Sequence, residues 1–318
     1  MYGSGLHSSK SIKYTVALKD KQRKTIIVTG ASSGIGRATA IKLVESGYQV
    51  FGLARRYDKL SKIFSLSDSL STAYKEELFI PIQFDITKSE TFEKIINGII
   101  LKTKDNTIYG LVNNAGYVEP GALEDITMNT LRNQFETNFF GLVGFTKEIL
   151  PIMMKSNKTG RGIGARIVNI SSLAGLISLP LIGSYSATKH ALEAISDSLR
   201  MELWNTNIKI ITINPGVIET NIYDVLKAKI DGMIRQNKDN NLESGFIAAY
   251  NKYFTKQNYN TGLKANVVAD VICKAISSPN PKQRYIIGST KEKLAVRLRP
   301  IIPDRLFYSL VAKQIHRT

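Results

Sequence analysis

Residues 25–36 read TIIVTGASSGIG, a short β-branched run that passes into a glycine-rich turn. The following residues, Arg37–Glu45, have the apolar spacing of a helix. Glycines let a backbone approach a pyrophosphate closely, and the unpaired N–H groups of a helix N-terminus can bind it. The spacing of Gly30, Gly34 and Gly36 differs from the usual G-x-G-x-x-G pattern of dinucleotide sites. The succession of strand, turn and helix nevertheless favours a nucleotide site over a plain connection.

Short β-rich runs alternate with longer helix-like segments along the rest of the chain. This alternation is typical of a parallel sheet with helices on both faces. The predicted strands are residues 25–29, 49–53, 78–84, 108–112, 166–170, 208–213 and 284–287. With right-handed crossovers, these seven strands form one open sheet. The sequence therefore predicts an α/β fold, a single doubly wound, Rossmann-type domain over residues 24–290.

The two ends of the chain are expected to lie outside this domain. Residues 1–23 are polar and basic and have no apolar core of signal-peptide length, so we expect a flexible tail. Residues 291–318 place Leu306, Phe307 and Leu310 at helical spacing among arginines and lysines. Such a basic amphipathic extension is compatible with membrane contact, with a place in the substrate pocket, or with packing on its own subunit or a dimer mate.

The composition of the chain argues against several classes of protein. The 318 residues carry 43 Lys and Arg against 26 Asp and Glu, which gives a formal net charge of +17. This charge attracts phosphates, nucleic acids and anionic membranes, but it is scattered, which makes specific nucleic-acid binding the weaker interpretation. A single cysteine, Cys273, rules out an internal disulfide, and with three histidines a His-based metal site is not credible. No apolar run is long enough to span a membrane. We expect a cytoplasmic protein, with membrane association as an alternative.

The predicted second strand ends in Ala54-Arg55-Arg56, where a site for NAD would place an acidic residue. Two guanidinium groups suit the additional 2′-phosphate of NADP, which a carboxylate would repel. Arg37 is a candidate to strengthen this site. Asp58, two residues further on, keeps NAD as an alternative. The sequence therefore predicts NADP(H) as the preferred cofactor.

Polar and small residues also follow the third and fourth strands. Asp85 ends the third strand, where it could accept a hydrogen bond from an adenine amino group or cap the helix beginning near Ser89. The fourth strand leads into Asn113-Asn-Ala-Gly116, whose small residues allow a cofactor to approach. The long helix predicted over Thr130–Lys155 holds Asn138 among apolar neighbours. Because a buried amide needs partners, a structural hydrogen bond and a water-holding catalytic role are equally compatible with Asn138.

Tyr185 and Lys189 stand four residues apart in a predicted helix, Tyr185–Leu203, that contains no Gly or Pro. This spacing places the phenol and the ammonium on one helix face. A phenol titrates near ~10, and a neighbouring cation favours the phenolate, so the pKa of Tyr185 is expected to fall toward neutrality. Ser172 follows the fifth strand, where its hydroxyl could hold a carbonyl oxygen beside the phenol. The spacing alone does not distinguish this pair from an exposed Tyr and Lys on a solvated helix face.

Taken together and in order, these motifs resemble the short-chain dehydrogenase/reductase family. The resemblance covers roughly residues 24–220 and rests on the TGxxxGIG turn, the NNAG motif, the Tyr185-x-x-x-Lys189 pair and Asn214-Pro215-Gly216. It implies hydride transfer between a nicotinamide cofactor and a carbonyl or alcohol. The enzyme would therefore act on CH–OH groups.

The resemblance also implies a role for each catalytic residue. Tyr185 would be the general acid for reduction or the base for oxidation, and Lys189 would lower its pKa and bind the nicotinamide ribose. Ser172 would orient the substrate oxygen, and Asn138 would position a water linked to Lys189. The implied cofactor-binding residues are Gly30, Ser32, Ser33, Gly34, Ile35, Gly36, Arg55, Arg56, Asp85, Ile86, Asn114, Ala115, Gly116, Tyr185, Lys189, Pro215, Gly216 and Thr220.

Residues 221–262 carry no strand signal and mix apolar and aromatic side chains. In the family this region covers the substrate, so we expect a hydrophobic substrate such as a steroid, a retinoid or a fatty aldehyde or ketone. The alternatives are a 3-oxoacyl thioester reductase of fatty acid metabolism and a catalytically silent NADP-sensing protein. A stripe of small residues resembles the family's paired-helix surface and predicts a homodimer or homotetramer, with a tight contact inside one subunit as the alternative. The stripe consists of Ala187, Ala191, Ala194 and Ser198.

Overall fold

The computed structural model describes residues 24–63, 78–103, 106–158, 164–219 and 262–316. The predicted basic tail, residues 1–23, lies outside these ranges. The same holds for Thr220 and for the predicted substrate-covering segment 221–262, of which only Gly262 is described. The described ranges contain every strand predicted from the sequence.

Seven strands pair in parallel to form the central sheet, and two short strands pair separately. The strands are β1 (Thr25–Thr29), β2 (Gln49–Ala54), β3 (Phe79–Gln83), β4 (Gly110–Asn113), β5 (Arg166–Ile170), β6 (Lys209–Pro215), β7 (Ile218–Glu219), β8 (Leu263–Lys264) and β9 (Arg284–Ile287). The seven-stranded parallel sheet is confirmed, and its predicted strand ends differ from the observed ones by at most two residues. The pair β7–β8 was not predicted, because strands this short have no readable alternation.

The strand order is β3-β2-β1-β4-β5-β6-β9, so the direction of winding reverses between β1 and β4. In such sheets the loops at the carboxyl ends of the strands diverge at this point and leave a crevice that binds ligands. The candidate cofactor residues lie at the end of β6 or follow β1, β2, β3, β4, β5 and β6 in the chain. The topology therefore places them at one edge of the sheet.

Helices cover both faces of the sheet, which confirms the doubly wound arrangement. The α-helices are α1 (Gly34–Glu45), α2 (Tyr57–Ser61), α3 (Phe92–Ile100), α4 (Met128–Phe135), α5 (Gly141–Lys158), α6 (Gly183–Glu202), α7 (Ala265–Ser277), α8 (Thr290–Leu298) and α9 (Asp304–His316). Short 3₁₀ turns occupy Ser89–Thr91 and Leu173–Gly175. No helix within the described ranges combines the length and hydropathy that a membrane span requires.

Strand β1 shows why the fold needs two helical layers. Successive side chains of a strand point to opposite faces, so a strand covered on both sides is apolar throughout. Ile26 and Val28 belong to the buried cluster that includes residues of α1 and α7, whereas Ile27 belongs to the cluster with residues of α3, α5 and α6. Each fully buried side chain of this size contributes about 1.5–3 kcal/mol. The continuous apolar run TIIV is therefore explained by burial on both faces.

The long helix predicted over Thr130–Lys155 is divided in the structure. It begins at Met128, where Thr127 caps it by accepting a hydrogen bond from the Thr130 N–H (3.1 Å). Between α4 and α5, residues Glu136–Phe140 form a π-helical segment. Residues 128–158 are therefore helical throughout, as predicted, and only the widened turn was not expected, since it leaves the apolar spacing nearly unchanged. Such turns often occur at functional sites, and this one contains Asn138.

Candidate active site

The glycine-rich turn after β1 has the backbone that a phosphate cradle requires. Gly30 (φ +67°) and Gly34 (φ +53°) adopt the left-handed conformation, which side chains disfavour. A Cβ on Gly36 would lie 2.3 Å from the Gly30 carbonyl oxygen, so the turn closes only with glycine at this position. Ser33 precedes α1, and its side chain makes no capping bond with the helix N–H groups. The turn therefore fits a pyrophosphate, which accepts hydrogen bonds from such groups.

Hydrogen bonds join this turn to the motif after β4. The Thr29 hydroxyl accepts from the N–H groups of Asn114 and Ala115, both at 3.0 Å. The Asn114 amide donates to the Thr29 carbonyl at 3.0 Å and to the Gly30 carbonyl at 3.3 Å. Asn114 was predicted as a cofactor contact, and its amide nitrogen holds the two loops together. The floor of the crevice is thus fixed by residues of both motifs.

The arginines after β2 lie beside the glycine-rich turn. Arg55 and Arg56 are exposed, and an Arg56 guanidinium nitrogen donates to the Ser33 hydroxyl at 3.3 Å. The structure therefore brings together two predicted cofactor residues that are distant in the sequence. Arg37, the suggested third cation, donates instead to the Ile63 carbonyl at 3.2 Å. The exposed guanidinium groups fit an additional phosphate at this end of the crevice.

Asp85 and Ile86 after β3 have local roles. Asp85 accepts from the N–H (3.0 Å) and the hydroxyl (2.9 Å) of Thr87 with the same carboxylate oxygen. Lys88 precedes the 3₁₀ turn that begins at Ser89, so the expectation that Asp85 caps this helix was wrong. The Ile86 side chain belongs to a buried core cluster. Any contact of Ile86 with a cofactor would therefore use its backbone.

The Asn138 amide is fully engaged with the loop after β4. Its oxygen accepts from the Tyr117 N–H (2.9 Å), and its nitrogen donates to the Tyr117 carbonyl (2.8 Å) and to the Thr188 hydroxyl (3.2 Å). A Cβ on Gly116 would lie 3.1 Å from the Asn138 side-chain oxygen and 3.8 Å from the Lys189 nitrogen. The structural hydrogen bond is thus present, and it places Asn138 beside Lys189.

Helix α6 carries Tyr185 and Lys189 into the crevice. Lys189 is only 4% exposed, and its ammonium donates to the Ile170 carbonyl at 2.8 Å. The ammonium nitrogen lies 5.7 Å from the centre of the Tyr185 ring. The Ser172 side chain lies close enough to the Tyr185 hydroxyl to lower its pKa. These contacts exclude the alternative of an exposed pair on a solvated helix face.

Ser172, and not its neighbour Ser171, meets the phenol. The Ser172 hydroxyl accepts from the Ala174 N–H (3.1 Å) and donates to the Pro215 carbonyl (3.4 Å). The Ser171 hydroxyl is buried, and a Cβ on Gly175 would lie 2.6 Å from it. The backbone after β5 therefore directs the two hydroxyls to different surroundings, and the Ser172 hydroxyl is the one beside Tyr185.

The protonation states of this group differ from the sequence-based expectation. Burial raises the pKa of Tyr185 to about 12, against an opposing effect of the Ser172 hydrogen bond. Burial also lowers the pKa of Lys189 to about 8, and the Glu193 carboxylate opposes this effect. The expected net fall in the Tyr185 pKa is therefore not observed, because desolvation of the phenolate outweighs the favourable interactions. At neutral pH the phenol is protonated, which suits a proton donor.

Glu193 completes the site and was not among the residues predicted from the sequence. Its carboxylate is buried and accepts from the Asn214 amide at 2.6 Å and from the Arg284 guanidinium at 2.8 Å. The same Asn214 nitrogen donates to the Ser172 carbonyl at 3.1 Å. The position of Glu193, four residues after Lys189 on one helix face, was a readable signal. Its partners come from β6 and β9 and were not readable.

No cluster of three or more His, Cys, Asp or Glu side chains suited to a metal ion occurs among the described residues. The crevice contains the Tyr185 phenol, the Lys189 ammonium, the Ser172 hydroxyl and the phosphate cradle after β1. These groups fit a nicotinamide dinucleotide bound along the carboxyl edge of the sheet.

Comparison with known proteins agrees with this geometry. The family model for short chain dehydrogenases matches residues 24–231. The chain is 34% identical over 284 residues to an uncharacterized oxidoreductase, YbbO, of Escherichia coli, which covers 89% of this chain and 92% of the relative. It is 31% identical to the NADPH-dependent 3-dehydrocapnine reductase of Ornithobacterium rhinotracheale (92% and 97% covered). It is also 31% identical to the 3-ketodihydrosphingosine reductase of Bacteroides thetaiotaomicron (91% and 99% covered).

Solved structures share the fold. A short-chain dehydrogenase from Streptomyces avermitilis superposes with a TM-score of 0.68 at 25% identity, covering 93% of this chain and 97% of the other. A family member from Burkholderia phymatum, in complex with NAD, gives a TM-score of 0.70 at 24% identity, with 88% and 94% covered. The sequence match spans the glycine-rich turn and the whole Ser172, Tyr185 and Lys189 site. The chain therefore belongs to the short-chain dehydrogenase/reductase family and is an oxidoreductase that acts on CH–OH groups.

Proposed function

We propose that the protein is an NADP(H)-dependent oxidoreductase that interconverts a carbonyl and an alcohol on a hydrophobic substrate. The observation that carries this proposal is the proximity of the Ser172 side chain to the Tyr185 hydroxyl, with the buried Lys189 nitrogen 5.7 Å from the centre of the Tyr185 ring. This arrangement offers a proton donor and a second hydroxyl to one substrate oxygen. A sensor without turnover would need neither group.

The chain's own residues supply position and a proton. Ser172 and Tyr185 bind the substrate oxygen, and the protonated phenol donates to that oxygen as it gains negative charge. Lys189 places a positive charge close to the phenol and favours the phenolate that is left behind. The bound nicotinamide would supply the hydride, held by the cradle after β1 and by the loop that contains Pro215 and Gly216. At neutral pH the Tyr185 phenol is protonated, as the proton donor in carbonyl reduction must be.

The preference for NADP(H) is supported at the end of β2. Arg55 and Arg56 are exposed beside the glycine-rich turn, and Arg56 already contacts the Ser33 hydroxyl. A 2′-phosphate would be stabilised by these guanidinium groups. One relative is named as NADPH-dependent. NAD(H) is the alternative cofactor, with Asp58 on α2 as its nearest acidic residue in sequence.

A long-chain ketone is the substrate class that the comparisons favour. Two relatives that match almost the whole chain are named as reductases of 3-ketodihydrosphingosine and 3-dehydrocapnine. Both names describe a carbonyl at carbon 3 of the substrate. These names support a hydrophobic carbonyl substrate, and steroids, retinoids and fatty aldehydes are the further candidates.

A cofactor oxidation assay separates the candidate functions. The purified protein is mixed with NADPH or NADH and with a panel that contains 3-ketodihydrosphingosine, a steroid ketone, retinal, a fatty aldehyde and a 3-oxoacyl thioester. We expect NADPH oxidation with the long-chain ketone. Preferred turnover of the thioester would support a 3-oxoacyl reductase instead. Tight NADPH binding without turnover of any compound would support the sensor.

We also propose that the protein is a homodimer or homotetramer. On the described surface, the predicted small-residue stripe of α6 includes the exposed Ala187 and Ala194. Large apolar side chains are also exposed at the end of this helix, namely Met201 (71%) and Trp204 (73%), and Phe140 (54%) is exposed directly before α5. Covering such residues is a common reason for association. Light scattering after size exclusion tests this proposal, and a monomer at micromolar concentration would contradict it.

We further propose a cytoplasmic location with reversible contact between α8–α9 and an anionic membrane. Six large apolar or aromatic side chains are exposed there: Leu294, Leu298, Ile301, Leu306, Tyr308 and Leu310. Exposed cations accompany them, namely Lys291, Arg297, Arg305 and Lys313. The Asp304 carboxylate in this segment is paired with Arg299. Apolar groups surrounded by cations match the chemistry of an anionic lipid surface.

Vesicle sedimentation tests the membrane contact. We expect the protein to bind vesicles that contain phosphatidylserine and to remain in solution with neutral phosphatidylcholine vesicles. Replacement of Leu306 and Leu310 by Ser should abolish binding without loss of turnover on a water-soluble ketone. Failure to bind the anionic vesicles at physiological salt would refute the proposal.

A further inference from the structure

Glu292 lies in the first turn of α8, and each of its two carboxylate oxygens accepts a hydrogen bond from a different part of the chain. One oxygen accepts from the Ser289 N–H at 2.7 Å, and the Ser289 hydroxyl accepts from the Glu292 N–H at 3.3 Å. This reciprocal pair is a capping box and fixes the start of the helix. The other oxygen accepts from the N–H of Val217 at 3.1 Å, across 75 residues of sequence. A capping box does not require this second contact.

The carboxylate also packs directly on the loop after β6. A Cβ on Gly216 would lie 2.4 Å from one carboxylate oxygen and 2.8 Å from the carboxyl carbon of Glu292. The Gly216 N–H donates to the Ile287 carbonyl at 2.7 Å, which brings this loop against the end of β9. A side chain at Gly216 would therefore displace the Glu292 carboxylate from its position against this loop.

This loop is connected to both the catalytic group and the substrate side. The Pro215 carbonyl accepts from the Ser172 hydroxyl at 3.4 Å. Two residues after Gly216, β7 begins and pairs with β8, and these short strands flank residues 220–261. A displacement of the Gly216–Val217 backbone would therefore move two features together. These are the Pro215 carbonyl that accepts from Ser172 and the strand β7.

We propose that Glu292 is a positioning residue that holds the Gly216–Val217 loop in the conformation required for the cofactor. The C-terminal segment thereby controls cofactor affinity from outside the residues matched by the family model, which end at 231. The inference rests on the proposed function for the identity of the cofactor. The competing explanation is that Glu292 only caps α8.

Two variants separate these roles. Glu292→Gln retains a residue that capping boxes accept, but its amide has one acceptor oxygen for the two N–H groups of Ser289 and Val217. Ser289→Ala removes the hydroxyl that caps α8 and leaves both carboxylate contacts in place, so it is the matched control. We measure the Kd for NADPH by fluorescence titration, the Tm, and hydrogen–deuterium exchange of residues 213–219.

For Glu292→Gln we expect the Kd for NADPH to rise about 10-fold, since the partly buried Val217 N–H loses the carboxylate oxygen that holds the loop in place. Exchange at residues 213–219 should also rise. Ser289→Ala should lower the Tm by a few degrees and leave the Kd and this exchange within about twofold of the wild type. Equal Kd values and equal exchange in Glu292→Gln and the wild type would overturn the inference. Absence of NADPH binding to the wild type would refute the proposed function alone, because the exchange comparison needs no cofactor.

Discussion

Positive charge is exposed in one region of this protein, at the end of β2, and buried in another, on α6. Arg55 and Arg56 are exposed and lie at the surface of the crevice. Lys189 is buried, donates to the Ile170 carbonyl and lies close to the Glu193 carboxylate. An exposed guanidinium keeps most of its hydration, whereas a buried ammonium loses it, and this lowers the Lys189 pKa to about 8.

The difference shows that the fold must stabilise the charge of Lys189 but not the charges of Arg55 and Arg56. Exposed arginines can select a phosphate with little effect on stability, because solvent screens them until a ligand binds. The Lys189 charge destabilises the folded state unless other groups compensate, and here Ile170 and Glu193 do so. We therefore expect changes at α6 to alter chemistry, pH dependence and stability together, and changes at β2 to alter cofactor choice alone. The following variants test this contrast.

Tyr185→Phe should have the largest effect, because it removes the proton donor and keeps the ring. We expect turnover to fall about 10²–10⁴-fold, the usual contribution of general acid catalysis, while NADPH binding persists. Steady-state rates and a fluorescence titration measure the two quantities. Ser172→Ala should also lower turnover, and Ser171→Ala, which changes a hydroxyl directed elsewhere, is its control. Unchanged turnover in Tyr185→Phe would refute the assigned chemistry.

Arg56→Ala should have the next largest effect. It should weaken the binding of NADPH, which carries the 2′-phosphate, and not the binding of NADH. We expect the Kd for NADPH to rise about 10–100-fold, as for loss of a hydrogen bond to a charged group, with little change for NADH. Lys59→Ala, on the exposed surface of α2, is the control for general loss of positive charge. A parallel loss of affinity for NADH would show that Arg56 does not distinguish the two cofactors.

Lys189→Met should have the third largest effect, a modest stabilisation of the protein in the absence of cofactor. A fall in pKa from 10.5 to about 8 corresponds to about 3 kcal/mol, and loss of the hydrogen bond to Ile170 offsets about 1 kcal/mol. We therefore expect the free energy of unfolding at pH 7 to rise by about 2 kcal/mol, measured by denaturant titration. Between pH 8 and 10.5 the unfolded wild type binds more protons than the folded form, so its stability should rise with pH. The variant should lack this rise.

Glu193→Gln should have the smallest effect, a shift in pH dependence. The Glu193 carboxylate raises the Lys189 pKa against desolvation, so its removal should lower that pKa further below 8. If the protonated form is the active one, kcat/KM falls as pH rises through the Lys189 pKa, and the fall should begin at lower pH in the variant. Asp197→Asn, one turn further along α6 and in contact with Arg284, is the control. Identical pH profiles for wild type and Glu193→Gln would show that Glu193 does not influence the pKa of Lys189.

Much of the site was readable from local patterns. The β-branched run of β1, the glycines after it and the four-residue spacing of Tyr185 and Lys189 are determined by backbone conformation and helix geometry. Long-range contacts were not readable in this way. The turn of Arg37 toward Ile63, the widened turn around Asn138 and the contact between Glu292 and Val217 depend on elements that meet only in the folded chain.

The sequence by itself determined the α/β fold, the order of the strands along the chain and the identity of the groups that meet at the carboxyl edge of the sheet. Periodicity and turn chemistry act over a few residues, and so they are present in the sequence. Only the tertiary structure decided which cations are buried, and with that the pKa of Tyr185 and of Lys189. Burial is a property of all the elements that pack around a group, and desolvation outweighed the single charge pair that the spacing had indicated.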